Sequence, residues 1–128
     1  MKISVVLLAV SHGASIVISG DYGQFLECPY GYIMDGFCGS GNKKDCEYNS
    51  KDYSHLIRCV ENTRLTLDFS ERCYWAFGDF EQAANCATDE IAVGACSSGS
   101  QSDCNKYASA VSCCHFKVDI GYKILPPT

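Results

Sequence analysis

The sequence predicts an all-β, disulfide-rich β-sandwich, jelly-roll-like, made of two internally repeated halves. Three observations predict it. Ten cysteines stand in 128 residues, enough for a disulfide scaffold. Eight of them fall on one spacing ruler that occurs twice. Short runs of alternating apolar and polar residues are separated by Gly, Ser, Asn and Asp, the pattern of brief antiparallel strands.

The N-terminal segment comes first. Lys2 supplies a positive charge and "ISVVLLAV" an apolar run too short to span a bilayer. Small residues follow, and Val17 and Ser19 suit the positions before a signal peptidase cut. Residues 1–20 therefore read as a leader, cut after Ser19 or Gly20. The competing reading is a buried N-terminal strand, because "ASIVIS" is rich in β-branched residues. The cysteine count favours the leader, since disulfides persist in oxidising compartments.

The ruler defines the halves. Cys28, Cys38, Cys46 and Cys59 are separated by 10, 8 and 13 residues; Cys86, Cys96, Cys104 and Cys113 by 10, 8 and 9. A four-residue insertion in "EYNSKDYSHLIR" accounts for the difference. Gly36 and Gly94, Ser40 and Ser98, Gly41 and Gly99, and Asp45 and Asp103 match at the same 58-residue offset. After the insertion, Tyr53 matches Tyr107. This is an internal duplication, with a first repeat over 21–72 and a second over 73–128. Counting alone leaves the connectivity open. Duplication asks equivalent cysteines to pair equivalently. A nested scheme satisfies that: Cys28–Cys59 and Cys38–Cys46, then Cys86–Cys113 and Cys96–Cys104, with the remaining Cys73 and Cys114 together. Adjacent Cys113 and Cys114 would point to opposite faces of a strand. Metal ligation is the alternative use of cysteine, but the spacings lack the C-x2-C knuckle.

Strand signals run through both halves. Phe116, Val118, Ile120, Tyr122 and Ile124 alternate with polar or small residues. Leu65, Leu67 and Phe69 share one face, as do Cys73, Trp75 and Phe77. Shorter runs lie at "YIM", "HLIRCV", "EIAV" and "SAVSCC". "DFEQAANCATDE" is either a helical turn or two capped by Asp79 or an exposed connection. Residues 125–128 end the chain in a proline-rich tail read as disordered. The two halves either pack as separate β units or interleave.

The second half, "CATDEIAVGACSS" and then "ASAVSCCHFKV", resembles the resistin-like modules of the Cys/His-rich C-terminal domain of the LDL-receptor-regulating proprotein convertase. The resemblance covers residues 73–118 well and 28–60 less closely. It implies a small jelly-roll sandwich with concentric bridges Cys73–Cys114, Cys86–Cys113 and Cys96–Cys104. The first half departs from it: Val60 stands where Cys114 would be, and no outer cysteine precedes Cys28. The resemblance also implies extracellular protein–protein contact, without naming a ligand.

Charge and chemistry narrow the function. A net charge of −5 and the lack of a basic run beyond Lys43–Lys44 argue against nucleic acid and anionic membranes as partners. No Asn-x-Ser/Thr sequon occurs. With every cysteine in a bridge no thiol nucleophile is left, and His55 and His115 read as structural. The expectation is a non-enzymatic protein without metal or cofactor. The aspartates Asp45 and Asp103 suit Asx turns better than calcium sites. The loops between the second and third cysteines are the candidate contact surface, through Ser40, Asn42, Lys43, Lys44 and Asp45 in one and Ser98, Ser100, Gln101 and Asp103 in the other. Eight tyrosines add interface area, two or three of them expected to be exposed. The function expected is that of a secreted binding protein acting on an extracellular protein or glycan, with no stable membrane insertion and with self-association compatible. A venom or defence effector at a receptor, a component of an extracellular coat or matrix, and a small lectin are the alternatives.

Overall fold

The computed structural model describes residues 14–41, 43–63, 65–67, 73–99 and 101–118. The apolar leader run, Asn42, Phe69, Ser100, Ile120, Tyr122, Ile124 and the 125–128 tail lie outside the described residues.

Among the described residues ten strands follow in chain order: β1 (Ser15–Gly20), β2 (Leu26–Glu27), β3 (Tyr32–Gly39), β4 (Cys46–Tyr48), β5 (Lys51–Tyr53), β6 (His55–Glu61), β7 (Leu65–Leu67), β8 (Tyr74–Gly78), β9 (Glu90–Ser97) and β10 (Ser109–Val118). There is no helix among the described residues, and none is long and apolar enough to cross a membrane. The stretch after β8 is an exposed connection, reversed where Glu81 takes a φ of 65°.

One antiparallel sheet has the order β1-β6-β3; a second has β2-β9-β10-β7, with β8 also paired to β10. β3 and β6 pack against β9. Leu26, Ile57, Cys59 and Ala95 form the core cluster, with Ile18, Cys28, Tyr32 and Met34 around it. A second cluster of Cys96, Cys104 and Ala110 is covered by Trp75 and Phe77, the two aromatics that alternation puts on one face of β8.

The halves interleave. β2 leaves the first half to pair with β9, Leu26 opposite Ala95 and Glu27 opposite Gly94, and Cys28 N–H donates to Val93 O at 2.7 Å. β7, inside the segment 21–72, pairs with β10. Residues 15–20, assigned to the leader from sequence, form β1 and pair along their whole length with β6, from Ser15 opposite Val60 to Gly20 opposite His55. Their β-branched run satisfies strand geometry as readily as it satisfies a leader.

The bridges are Cys28–Cys59, Cys38–Cys46, Cys73–Cys114, Cys86–Cys113 and Cys96–Cys104, and no cysteine is free. They are concentric within each half. Cys113 and Cys114 reach Cys86 and Cys73, which enter from different segments. Each central ladder carries a bulge just beside the innermost cysteine of its last strand. Met34 faces Cys59 and Gly36 faces Arg58, so Asp35 is the extra residue. Ala92 faces Cys113 and Gly94 faces Ser112, so Val93 is extra. Positions 35 and 93 differ by the same 58 residues. Such bulges twist a strand and redirect its side chains. Here Asp35 is turned to solvent, where Arg58 grips it through two 2.9 Å bonds and holds its carboxyl below the usual range.

The four-residue insertion also has a structural form. Cys104 and Tyr107 close a tight reversal through Asn105 and Lys106, with φ of 53° and 77°. Cys46 and Tyr53 are partnered in the same way, but two further pairs, Glu47 with Asp52 and Tyr48 with Lys51, precede the reversal at Asn49 and Ser50, with φ of 55° and 64°. The insertion thus lengthens a hairpin by two rungs and keeps its left-handed two-residue turn.

Candidate binding surface

The two candidate loops are built by the same serine. In the first, Ser40 N–H donates to Ser54 O at 3.0 Å. Its hydroxyl also meets Ser54 O at 3.1 Å and contacts Lys43 O. In the second, Ser98 N–H donates to Ala108 O at 2.9 Å. Its hydroxyl lies 2.9 Å from Gln101 O and 3.1 Å from Ala108 O, and accepts Asp103 N–H at 3.2 Å. A hydroxyl that both donates and accepts satisfies backbone groups the loop would otherwise leave unpaired. The bridges Cys38–Cys46 and Cys96–Cys104 close the loop bases.

This sorts the predicted contact residues. Ser98 is fully buried and Ser40 half-buried, so both shape their loops from within. Lys43, Lys44, Asp45, Gln101 and Asp103 are exposed; Asn42 and Ser100 lie outside the described residues. The grouping of Cys86, Glu90 and Cys113 with metal-ligand spacing is engaged by the Cys86–Cys113 bridge.

A segment not singled out from sequence joins the loops. The turn Asp21–Gln24 is held by Asp21 N–H to Gln24 Oε1 at 2.6 Å and Gln24 N–H to Asp21 O at 3.1 Å. Gly23 N–H donates to Ser97 O at 3.3 Å, at the foot of the second loop, and Gly23 lies against Asp103. On the other side Lys44 Nζ approaches Asp21 Oδ1 at 3.3 Å. Both loops therefore flank one turn. Beside them Phe25 is exposed and meets Trp75 edge-on, centroids 4.7 Å apart; Tyr107 is exposed and stacks on Phe77 at 4.9 Å. The signal was present in the sequence: "DYGQ" and "DFEQ" stand 58 residues apart.

Four tyrosines among the described residues are exposed, Tyr30 at 84% and Tyr48, Tyr74 and Tyr107 less so. That is more than expected: Tyr30 sits on a turn, and Tyr48 ends β4 in the two-stranded hairpin, beside its reversal.

His55 lies underneath. It is fully buried, with Nε2 2.9 Å from Gln24 O and Nδ1 3.0 Å from Ser54 Oγ. A carbonyl only accepts, so Nε2 carries the proton. Ser54 also reaches Gly20 O at 3.2 Å. A nucleophile–base pair requires access to substrate; Ser54 and His55 are sealed and tie β6 to β1 and the turn. His115, half-buried, pairs with Asp89 at 2.9 Å.

Burial holds the His55 imidazole below its ordinary value, against weaker opposing pulls from the Gln24 carbonyl and Asp21. The unfolded chain takes up this proton near pH 6.5, the folded chain at lower pH. The His55 contribution to stability is therefore complete above about pH 6.5 and is lost as pH falls toward the folded value. In urea unfolding at pH 7.5, 6 and 5, the wild-type midpoint is expected to fall more steeply than that of His55→Gln. Parallel profiles would refute the assignment.

No protein-family model, curated protein or solved structure matches the chain.

Proposed function

We propose that this disulfide-rich β protein is secreted, and acts without catalysis by binding an extracellular protein or glycan through the surface formed by loops 40–45 and 98–103 and the Asp21–Gln24 turn. One observation carries the reading: the loops meet a common turn, and each is closed by its own bridge. Loops on a rigid frame lose little entropy when they bind. Lys43, Gln101 and Asp103 supply polar contacts, and Phe25 and Tyr107 supply area of the kind that dominates interfaces. Five bridges support an oxidising destination. Kinship with the resistin-like modules is proposed on the same footing, from the concentric bridges of the second half.

The test is affinity capture from the source fluid with the native protein, beside a reduced and alkylated control and a Lys43→Ala/Gln101→Ala variant. The native protein is expected to retain its partner and the reduced control to lose it. The variant is expected to bind about tenfold more weakly, roughly 1.4 kcal/mol. Undiminished capture by the reduced chain would overturn the reading, and turnover in a hydrolase screen would remove its non-enzymatic part.

A further inference from the structure

The first half begins earlier than its cysteines indicate. β1 pairs antiparallel with β6 and ends on buried Gly20, opposite His55; β8 pairs antiparallel with β10 and ends on buried Gly78, opposite Ser109. Gly20 and Gly78 stand 58 residues apart. Each leads directly into an aspartate whose N–H is bound by a glutamine three residues on, Asp21 to Gln24 at 2.6 Å and Asp79 to Gln82 at 3.1 Å. The third residue of each turn has a positive φ, 75° at Gly23 and 65° at Glu81.

The match continues to the far end of the strand. Ser15 lies opposite Val60. In the second half Tyr74 lies opposite Cys113, which brings Cys73 to its bridge with Cys114. Val60 follows Cys59 as Cys114 follows Cys113. Ser15 and Val60 thus stand where the second half carries its outer disulfide.

We propose that the repeated unit starts at Ser15, that β1 belongs to the finished protein, and that leader processing cuts N-terminal to Ser15. A cut after Ser19 or Gly20 would remove one of the two strands that pair with β6 and leave only β3. It would take away Ile18, which packs on the Leu26–Ile57–Cys59–Ala95 cluster, and open Ile57, which is fully buried. Gly20 O lies 3.2 Å from the Ser54 hydroxyl; a cut after Gly20 removes that carbonyl, and a cut after Ser19 leaves it on the terminal residue.

The cut rests on the secreted reading; the pairing of positions 15 and 60 does not. The full 128-residue chain, wild type and Ser15→Cys/Val60→Cys, is expressed in a secretory cell line and also refolded oxidatively from bacterial inclusion bodies. In wild-type protein from the medium, the dominant N-terminus is expected at or ahead of Ser15. In the double variant, peptide mapping is expected to show a sixth disulfide joining positions 15 and 60, from both sources, with no free thiol. Failure of export counts against secretion, and the refolded material then still decides the pairing. A folded secreted product that begins at Gly20 or Asp21, or free thiols at both positions in refolded protein, overturns the proposal.

Discussion

Replacing Cys28 and Cys59 together by alanine is expected to lower the unfolding free energy by about 3–4 kcal/mol, the largest loss among the bridges of the first half. The bridge spans a separation of 31 residues. Opening it returns more freedom to the unfolded chain than opening Cys38–Cys46, whose separation is 8 and whose loss is expected to cost about 2–3 kcal/mol. The position matters too. Cys28 directly follows β2, which is paired to β9, whereas Cys59 lies in β6. The bridge therefore joins one sheet to the other beside the core cluster, and Cys59 is fully buried. A total stability of roughly 5–15 kcal/mol leaves little margin for such a loss. Guanidinium unfolding of the two paired-alanine variants and the wild type checks the ranking. A Cys38/Cys46 variant that is weaker than the Cys28/Cys59 variant would refute it.

The same contrast shows which parts of the fold were legible in the sequence. Cysteine spacing is legible because a covalent bond fixes how far apart its ends sit, so a repeated ruler records a repeated geometry. The runs at "EIAV" and "SAVSCC" mark β9 and β10 because a short continuous apolar run suits a strand buried on both faces, and Val93 through Cys96 are buried in succession. The serines at 40 and 98 were visible as matched positions, but not as loop frames, since exposure is not written in residue type. β1 was legible only as the competing reading of "ASIVIS", for a physical reason. Its Ile16-Val17-Ile18 core continues the apolar character of the preceding run, and hydrophobicity alone does not separate a leader's end from a strand's beginning. β2 was hidden by brevity: two residues carry no period, and the pairing that defines them comes from residues far along the chain. The turn at Asp21–Gln24, which joins the two candidate loops, was legible only by extending the 58-residue comparison ahead of the first cysteine.

That crossing of β2 onto β9 also sets the second large effect. Gly94→Ala is expected to cost about 3 kcal/mol, through overpacking of roughly 1–3 kcal/mol together with lost apolar burial. A Cβ on Gly94 would stand 2.5 Å from Leu26 O, 3.1 Å from Glu27 Cγ and 3.2 Å from Glu27 Cα. Two of these three atoms are backbone, so β2 itself must move. Moving it breaks the pairing of Leu26 and Glu27 with β9 and the Cys28 N–H bond to Val93 O. It also draws Leu26 from its contacts with Ile57, Cys59 and Ala95. The molecule contains its own control. Gly36 occupies the matching place after the first bulge, where a Cβ would meet only Arg58, at 3.3 Å from its Cβ. At that distance Arg58 Cβ needs to give by only a few tenths of an ångström, and no backbone atom of another strand stands in the way. Gly36→Ala is expected to cost under about 1 kcal/mol. Urea midpoints of the two single variants measure the difference directly. Equal destabilisation would mean that the glycines answer to bulge geometry, which the halves share, and not to the close approach of β2, which only the second half receives.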